Sequence, residues 1–186
     1  MGDHVSETCK PTILPCKRPN CTGTEKFNIT LLKGILEDMK KHWPSLSNLS
    51  SPFTFWEHEF NKHGLCAVQD PLVHNQTGYF KFGLQLFKDA NLLKTLMKYN
   101  ITPNATKEYN TSDLQNVLKK KFGHNGSLRC TNIKKKNDTG RLEEIRLCLN
   151  LTHNFTNCPV LGDCPSKFLF LPFSNSNQLV KSNYFY

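Results

Sequence analysis

Helices before Gly123 and strands after it are what this sequence predicts, an order that an α+β fold would have, and two observations carry it. Apolar residues recur at helical spacing in three segments before Gly123, and after Gly123 the texture changes to that of strands. The 186 residues suffice for one domain with a real core, taken as 1–186. Residues 1 to 26, rich in Cys, Pro, Thr and Lys and without either period, are expected to form a disulfide-tied loop. From Ile29 the apolar Leu32, Ile35, Leu36 and Met39 follow a helical period that closes at Trp43-Pro44. A Ser/Asn/Pro loop follows over 45–53. Phe80, Leu84, Phe87, Leu93, Leu96 and Met97 then predict two helices between Tyr79 and Met97, jointed near Asp89 to Asn91. Ser112 is expected to cap a last helix running to Phe122, with Leu114, Val117, Leu118 and Phe122 on its buried side. RLEEIRLCLNL reads as a strand. KFLFLPF reads as a short buried one, with Pro172 near its end.

Composition places the chain among globular proteins, with 38% hydrophobic and 21% charged residues and no run long enough to span a membrane. The net charge of +9 suits a polyanionic partner, most simply nucleic acid, although anionic membranes attract the same charge. Lys119 to Lys121 and Lys134 to Lys136 read first as solvated surface and second as a track for a phosphate backbone.

Asparagine usage speaks to compartment. Eleven of the nineteen asparagines stand in N-x-S/T sequons: Asn20, Asn28, Asn48, Asn75, Asn100, Asn104, Asn110, Asn125, Asn137, Asn150 and Asn154. Chance would place roughly three there, so N-linked glycans are expected over the surface. The eight cysteines, even in number and without a C-x-x-C pair, read as four disulfides rather than as free core thiols. Together these imply a secreted or extracellular protein, or a lysosomal or vacuolar one reached through the secretory pathway. The first ten residues are polar and lack the charged-then-apolar pattern of a signal segment, which is expected if the sequence begins inside its gene.

The stretch FTFWEHEFNKHGLC, residues 53–66, sets His58, Glu59, Lys62 and His63 within six positions. On a regular helix over 55–63 all four fall within one arc of roughly 140° and can face one cleft. The zinc-protease pattern H-E-x-x-H needs its second histidine at i+4, where Lys62 stands, so neither a metal nor another cofactor is expected. A cysteine nucleophile at Cys66 conflicts with the even cysteine count. Phosphodiester chemistry suits the set: imidazole takes a proton near neutral pH, imidazolium holds or protonates a phosphate oxygen, and lysine offsets charge on a pentacoordinate phosphorus. The plain alternative is an exposed charged helix face with Glu59 and His63 paired at i,i+4.

FWEHEFNKHGLC resembles the second active-site block of the ribonuclease T2 family: a Trp, a His-Glu pair, then Lys-His-Gly and a Cys. Trp56, His58, Glu59, Lys62, His63, Gly64 and Cys66 stand in register with it. KKHWPSL, YNITPN, LRC, IRLCLN and NCP are similar to further family segments, over roughly residues 20 to 170. The resemblance implies helices packed on a central antiparallel sheet, stapled by disulfides. It also implies a secreted endoribonuclease that cuts RNA without metal through a 2′,3′-cyclic phosphate. His63 would take the 2′-hydroxyl proton, His58 bind phosphate, and Glu59 and Lys62 stabilise the transition state. Trp56 would contact substrate. Cys21 would pair with Cys66, Cys130 with Cys164, Cys148 with Cys158 and Cys9 with Cys16.

One departure qualifies this expectation. The family's first block, a strand ending in His-Gly-Leu-Trp-Pro, has no counterpart here, as expected of a chain truncated before it. His4 lies near that place without the following pattern, and His42 reads as structural. Loss of one general catalyst costs on the order of 10²- to 10⁴-fold. The competing expectation is a catalytically impaired ribonuclease-like glycoprotein that binds receptors or cell surfaces.

Overall fold

The computed structural model describes residues 23–45, 51–131, 139–150, 152–172 and 181–185, with side chains described up to residue 172. His4, Cys9, Cys16, Cys21, Asn20, Asn48, Asn137 and the Lys134 to Lys136 run therefore lie outside the described residues.

The segment expected as one helix from Ile29 is two pieces, a 3₁₀ turn Ile29–Ile35 and helix α1 (Leu36–His42). Gly34 and the β-branched Ile29, Thr30 and Ile35 weaken the α form there. Asn28 fixes the tighter start: its Oδ1 accepts from the Thr30 N and Oγ1 at 3.0 and 2.8 Å. Helices α2 (Pro52–Glu59) and α3 (Leu65–Ala67) flank a π turn, Phe60–Gly64. The next pair is as the periodicity predicts, α4 (Gln76–Ala90) and α5 (Leu92–Lys98), jointed at Asn91 with φ +40°.

Helix α6 spans Thr111–Phe122, and its cap is Asn110 rather than Ser112. The helix starts as soon as strand β1 (Glu108–Asn110) ends, because the Thr111 N–H is bound by the Ser166 carbonyl at 2.9 Å. Ser112 thus falls inside the first turn. Gly123, at φ +79°, closes the helix in a conformation that suits glycine.

Strand β3 (Gly140–Leu149) is the spine of the sheet. It pairs antiparallel with β2 (Ser127–Thr131) and β4 (Phe155–Thr156), and parallel with β5 (Lys167–Leu169) and β6 (Lys181–Phe185). Strand β1 completes the sheet, antiparallel to β5. The class is α+β as expected, but the sheet is mixed, because β5 and β6 return to β3 after connections long enough to reverse the chain. A register shift between Arg129 and Cys130 breaks the in-out alternation of β3, so Glu144 and Ile145 are both buried. The Glu144 carboxylate is held by Arg146 Nε and Nη2 at 2.8 and 2.7 Å.

Two hydrophobic cores result. One joins α5 and α6 to the sheet through Leu96, Leu114, Val117, Leu118, Ile145 and Phe168. The other is built by helices alone from Leu32, Met39, Trp56, Phe60, Phe80 and Leu84. The disulfides Cys130–Cys164 and Cys148–Cys158 staple the sheet side, as the resemblance implies. Cys66 is also disulfide-bonded, its expected partner Cys21 lying outside the described residues.

Candidate active site

Helix α2 begins where Ser51 accepts from the Phe53 N–H at 3.3 Å and Pro52 supplies a pre-set φ in the first turn. One stripe of the segment, Trp56, Phe60 and Gly64, is buried at intervals of four residues. The Trp56 indole Nε1 donates to the Trp43 carbonyl at 2.7 Å, which ties α2 to the end of α1. The Phe60 ring lies among Phe27, Tyr79 and Phe80, with centroids 5.9 to 6.3 Å away. A Cβ added at Gly64 would overlap that ring, so glycine is the residue that lets the backbone lie against Phe60.

The regular helix expected over 55–63 therefore ends at Glu59. The Leu65 N–H reaches back to the Phe60 carbonyl, an i→i+5 bond that places one extra residue in the turn. On an α-helix five steps would carry His63 roughly 140° away from His58. A turn that closes over five residues swings it back toward the meridian of His58. His58 and Lys62 are exposed, while Glu59 and His63 are half-buried. Two of the four lie on the last turn of α2 and two in the π turn.

Trp56 requires a correction. It is fully buried in the helical core, with its one polar atom committed to Trp43, so it shapes the floor beneath the site and does not offer a face to substrate. His42 is half-buried with its ring 5.5 Å from that of Phe87, in keeping with a structural part. Among the described residues no three His, Cys, Asp or Glu side chains gather as a metal site would need.

One further pair escaped the sequence reading. His153 Nε2 and Asp70 Oδ2 lie 2.7 Å apart and are mostly buried, across 83 positions of sequence. Asp70 follows the site by seven residues, and its other oxygen accepts from the Leu72 N–H at 2.8 Å. His153 holds φ at +61° and meets the Phe82 ring edge-on at 5.4 Å. Burial works to raise the Asp70 carboxyl, but the Leu72 and His153 hydrogen bonds outweigh it and hold the group below its ordinary range. The pair ties the turn after α3 to the β3–β4 hairpin. No local pattern announces it, since neither residue belongs to a motif.

The ribonuclease T2 family model matches residues 14–158, which include the whole site. The chain belongs to the ribonuclease T2 family. Among curated relatives of this family, ribonuclease Oy of Magallana gigas is 30% identical over 164 residues, covering 85% of this chain and 77% of its own. Ribonuclease T2 of Sus scrofa is 33% identical over 150 residues, covering 80% and 74%. The crystal structure of human RNase T2 superposes with a TM-score of 0.71 at 25% identity, over 85% of this chain and 81% of that one. The T2 family fold thus extends across both cores.

Proposed function

We propose that this chain is a secreted, N-glycosylated endoribonuclease that cleaves single-stranded RNA by metal-free transesterification. His63 accepts the proton of the ribose 2′-hydroxyl, whose oxygen attacks the adjacent phosphorus. The P–O5′ bond breaks and a 2′,3′-cyclic phosphate remains on the upstream fragment. His58 holds a non-bridging phosphate oxygen. Lys62 and Glu59 stabilise the pentacoordinate state, the lysine by offsetting its charge. The proton that neutralises the departing 5′-oxygen comes from an acid outside these four residues. Requirement for a 2′-hydroxyl makes RNA, not DNA, the substrate.

The observation that carries this reading is the π turn. It carries Lys62 and His63 directly after His58 and Glu59 of α2, and it is held where Gly64 packs on the Phe60 ring. A merely solvated helix face gives no reason for a buried glycine and an extra residue in the turn at that point. Secretion is supported by five described cysteines in disulfides. Glycosylation is supported by atom usage: Asn28, Asn75, Asn104 and Asn150 turn Oδ1 to neighbouring donors, leaving Nδ2, the atom that carries a glycan, outside those bonds. Asn100, Asn110 and Asn154 are exposed, although Asn110 and Asn154 donate Nδ2 to Asp113 and Thr152, while Asn125 is half-buried with its sequon hydroxyl, Ser127, buried on β2.

The test is His63→Ala in the full chain, assayed on a single-stranded RNA oligonucleotide with and without EDTA. Loss of cleavage by on the order of 10²- to 10⁴-fold, with wild-type cleavage unaffected by EDTA and ending in a cyclic phosphate, is the expected result. Retained turnover in the variant removes His63 from the mechanism.

A further inference from the structure

The lysines of α5 and α6 form an unusual stretch of surface. Between Ala90 and Leu128 the chain carries six lysines, Lys94, Lys98, Lys107, Lys119, Lys120 and Lys121, against two carboxylates. Both carboxylates are already engaged: Glu108 by Lys167 and Thr139, and Asp113 by Asn110. All six lysines are exposed, and among the described residues none is within ion-pair distance of a carboxylate. Elsewhere Lys40, Lys88, Lys167, Arg129 and Arg146 each have one, while among the described residues Lys26, Lys33, Lys41 and Lys81, scattered singly or along α1 and α4, do not. Two of the six reach residues 99 and 100 from separate elements, and a third, Lys98, is the chain neighbour of Tyr99. Lys107 Nζ is 3.4 Å from the Asn100 carbonyl, Lys120 Nζ lies over the Tyr99 ring at 5.3 Å, and Lys98 precedes Tyr99 at the end of α5.

Helix dipoles explain part of this, since Lys98 and Lys119 to Lys121 stand on last turns where cations are favoured. They do not explain Lys94 on the first turn of α5 or Lys107 in the connection to β1. Nor do they explain why no carboxylate answers any of the six. A concentration of uncompensated charge costs self-repulsion that a polyanion relieves.

We propose that the surface built by Lys98, Lys107 and Lys120 around Tyr99 is an auxiliary binding face for the phosphate backbone of single-stranded RNA, separate from the cleavage site. It rests on the reading of RNA as substrate. The two places stand on different cores: α5 and α6 pack on the sheet, and the π turn packs among the helices. The lysines neutralise successive phosphates without reading bases, so the contact is insensitive to sequence and strongly sensitive to salt. Its consequence is a preference for long over short RNA. A dinucleotide fills the cleavage site alone, while a longer strand also reaches the lysines.

The experiment uses the full glycosylated chain with an endoglycosidase-treated sample beside it, because Asn100 is itself a sequon residue beside Lys107, and lysine-dependent binding seen only after glycan removal overturns the proposal. Binding of a 2′-O-methylated 15-nucleotide RNA, which lacks the 2′-hydroxyl nucleophile, is followed by fluorescence anisotropy between 50 and 200 mM salt. The variant Lys98→Gln/Lys107→Gln/Lys120→Gln is expected to flatten the slope of log K against log salt by about 2, from about 0.7 per phosphate contact. Its cleavage of a dinucleotide is expected to stay unchanged. An unchanged slope and affinity overturn the proposal. Reduced retention on heparin with unchanged RNA binding also overturns it, in favour of an acidic polysaccharide. A wild-type chain that binds the oligonucleotide through these lysines yet cleaves nothing keeps this surface and removes the catalytic reading instead.

Discussion

The two cores are stabilised in different ways, and the site sits on the less conventional of them. The sheet side is held by a ladder of paired strands around β3 and by two disulfides joining segments 34 and 10 positions apart. The helical side, where Cys66 of α3 is also disulfide-bonded, is packed by aromatics: Phe60, Tyr79 and Phe80 meet one another, and Trp43 meets Tyr79 and Phe80, all at centroid distances between 5.0 and 6.3 Å. A ladder fixes register and tolerates substitution on its exposed face. An aromatic cluster fixes the position of one backbone turn, and every ring in it is a fulcrum for that turn. The difference teaches that the candidate site is positioned by rings beneath it.

The largest expected effect comes from removing such a ring. Phe60→Ala should cost about 3–5 kcal/mol in denaturant unfolding, as deletion of a fully buried aromatic does. In native-state hydrogen exchange, α2, α4 and the π turn should lose protection before β2 and β3 do. Equal loss on both sides would make the two cores one cooperative unit and break the comparison.

On the other side, the chain-entropy estimate gives about 3.8 kcal/mol for the 34-residue separation of Cys130–Cys164 and about 2.7 for the 10-residue separation of Cys148–Cys158. Paired Cys→Ala substitutions should therefore rank in that order by calorimetry, with RNA cleavage per folded molecule unchanged. A cleavage loss that exceeds the folding loss would show that the sheet also positions the site.

Gly64→Ala is smaller in stability and sharper in meaning. The added methyl enters the space of the Phe60 ring, which other rings confine, so overpacking of about 1–3 kcal/mol is expected. The strain displaces the neighbouring His63, so kcat should fall more than KM rises. Adding Phe60→Leu shortens the obstructing side chain and should recover part of kcat. If the double variant is no better than Gly64→Ala, the glycine acts through something other than the ring.

How much of this was legible from sequence follows the range of the interactions. The helices from Tyr79 to Met97 and the strand RLEEIRLCLNL could be read because local periodicity encodes them, and the four-residue set rests on a contiguous motif. The 3₁₀ start at Ile29 could be suspected only from Gly34 and three β-branched residues. The π turn could not be derived, because its cause is the packing of Gly64 on Phe60 inside a cluster assembled from Phe27, Tyr79 and Phe80. Trp56 was misjudged for a related reason: motif membership does not say which way a side chain points. Parallel pairing of β5 and β6 with β3, and the Asp70–His153 contact, depend on residues tens of positions apart and leave no mark on either segment.

The smallest effect concerns that contact, which joins the two sides. With the Asp70 carboxyl held below its ordinary 3.8 in the folded chain, its share of stability is complete above about pH 3.8 and is lost as pH falls through the lower folded value. The groups acting on it are the Leu72 N–H, His153 and, through its charge, His74. Asp70→Asn should remove this share, about 1–2 kcal/mol at pH 5 to 6 for a mostly buried hydrogen-bonded carboxylate. Urea unfolding of wild type and variant, compared from pH 2 to 6, should show curves that converge at the acid end and separate upward through pH 4. His153→Ala should give the same convergence if the contact is the cause. If only Asp70→Asn does so, the Leu72 turn alone holds the carboxylate, and the hairpin contributes nothing to fixing the segment that follows the site.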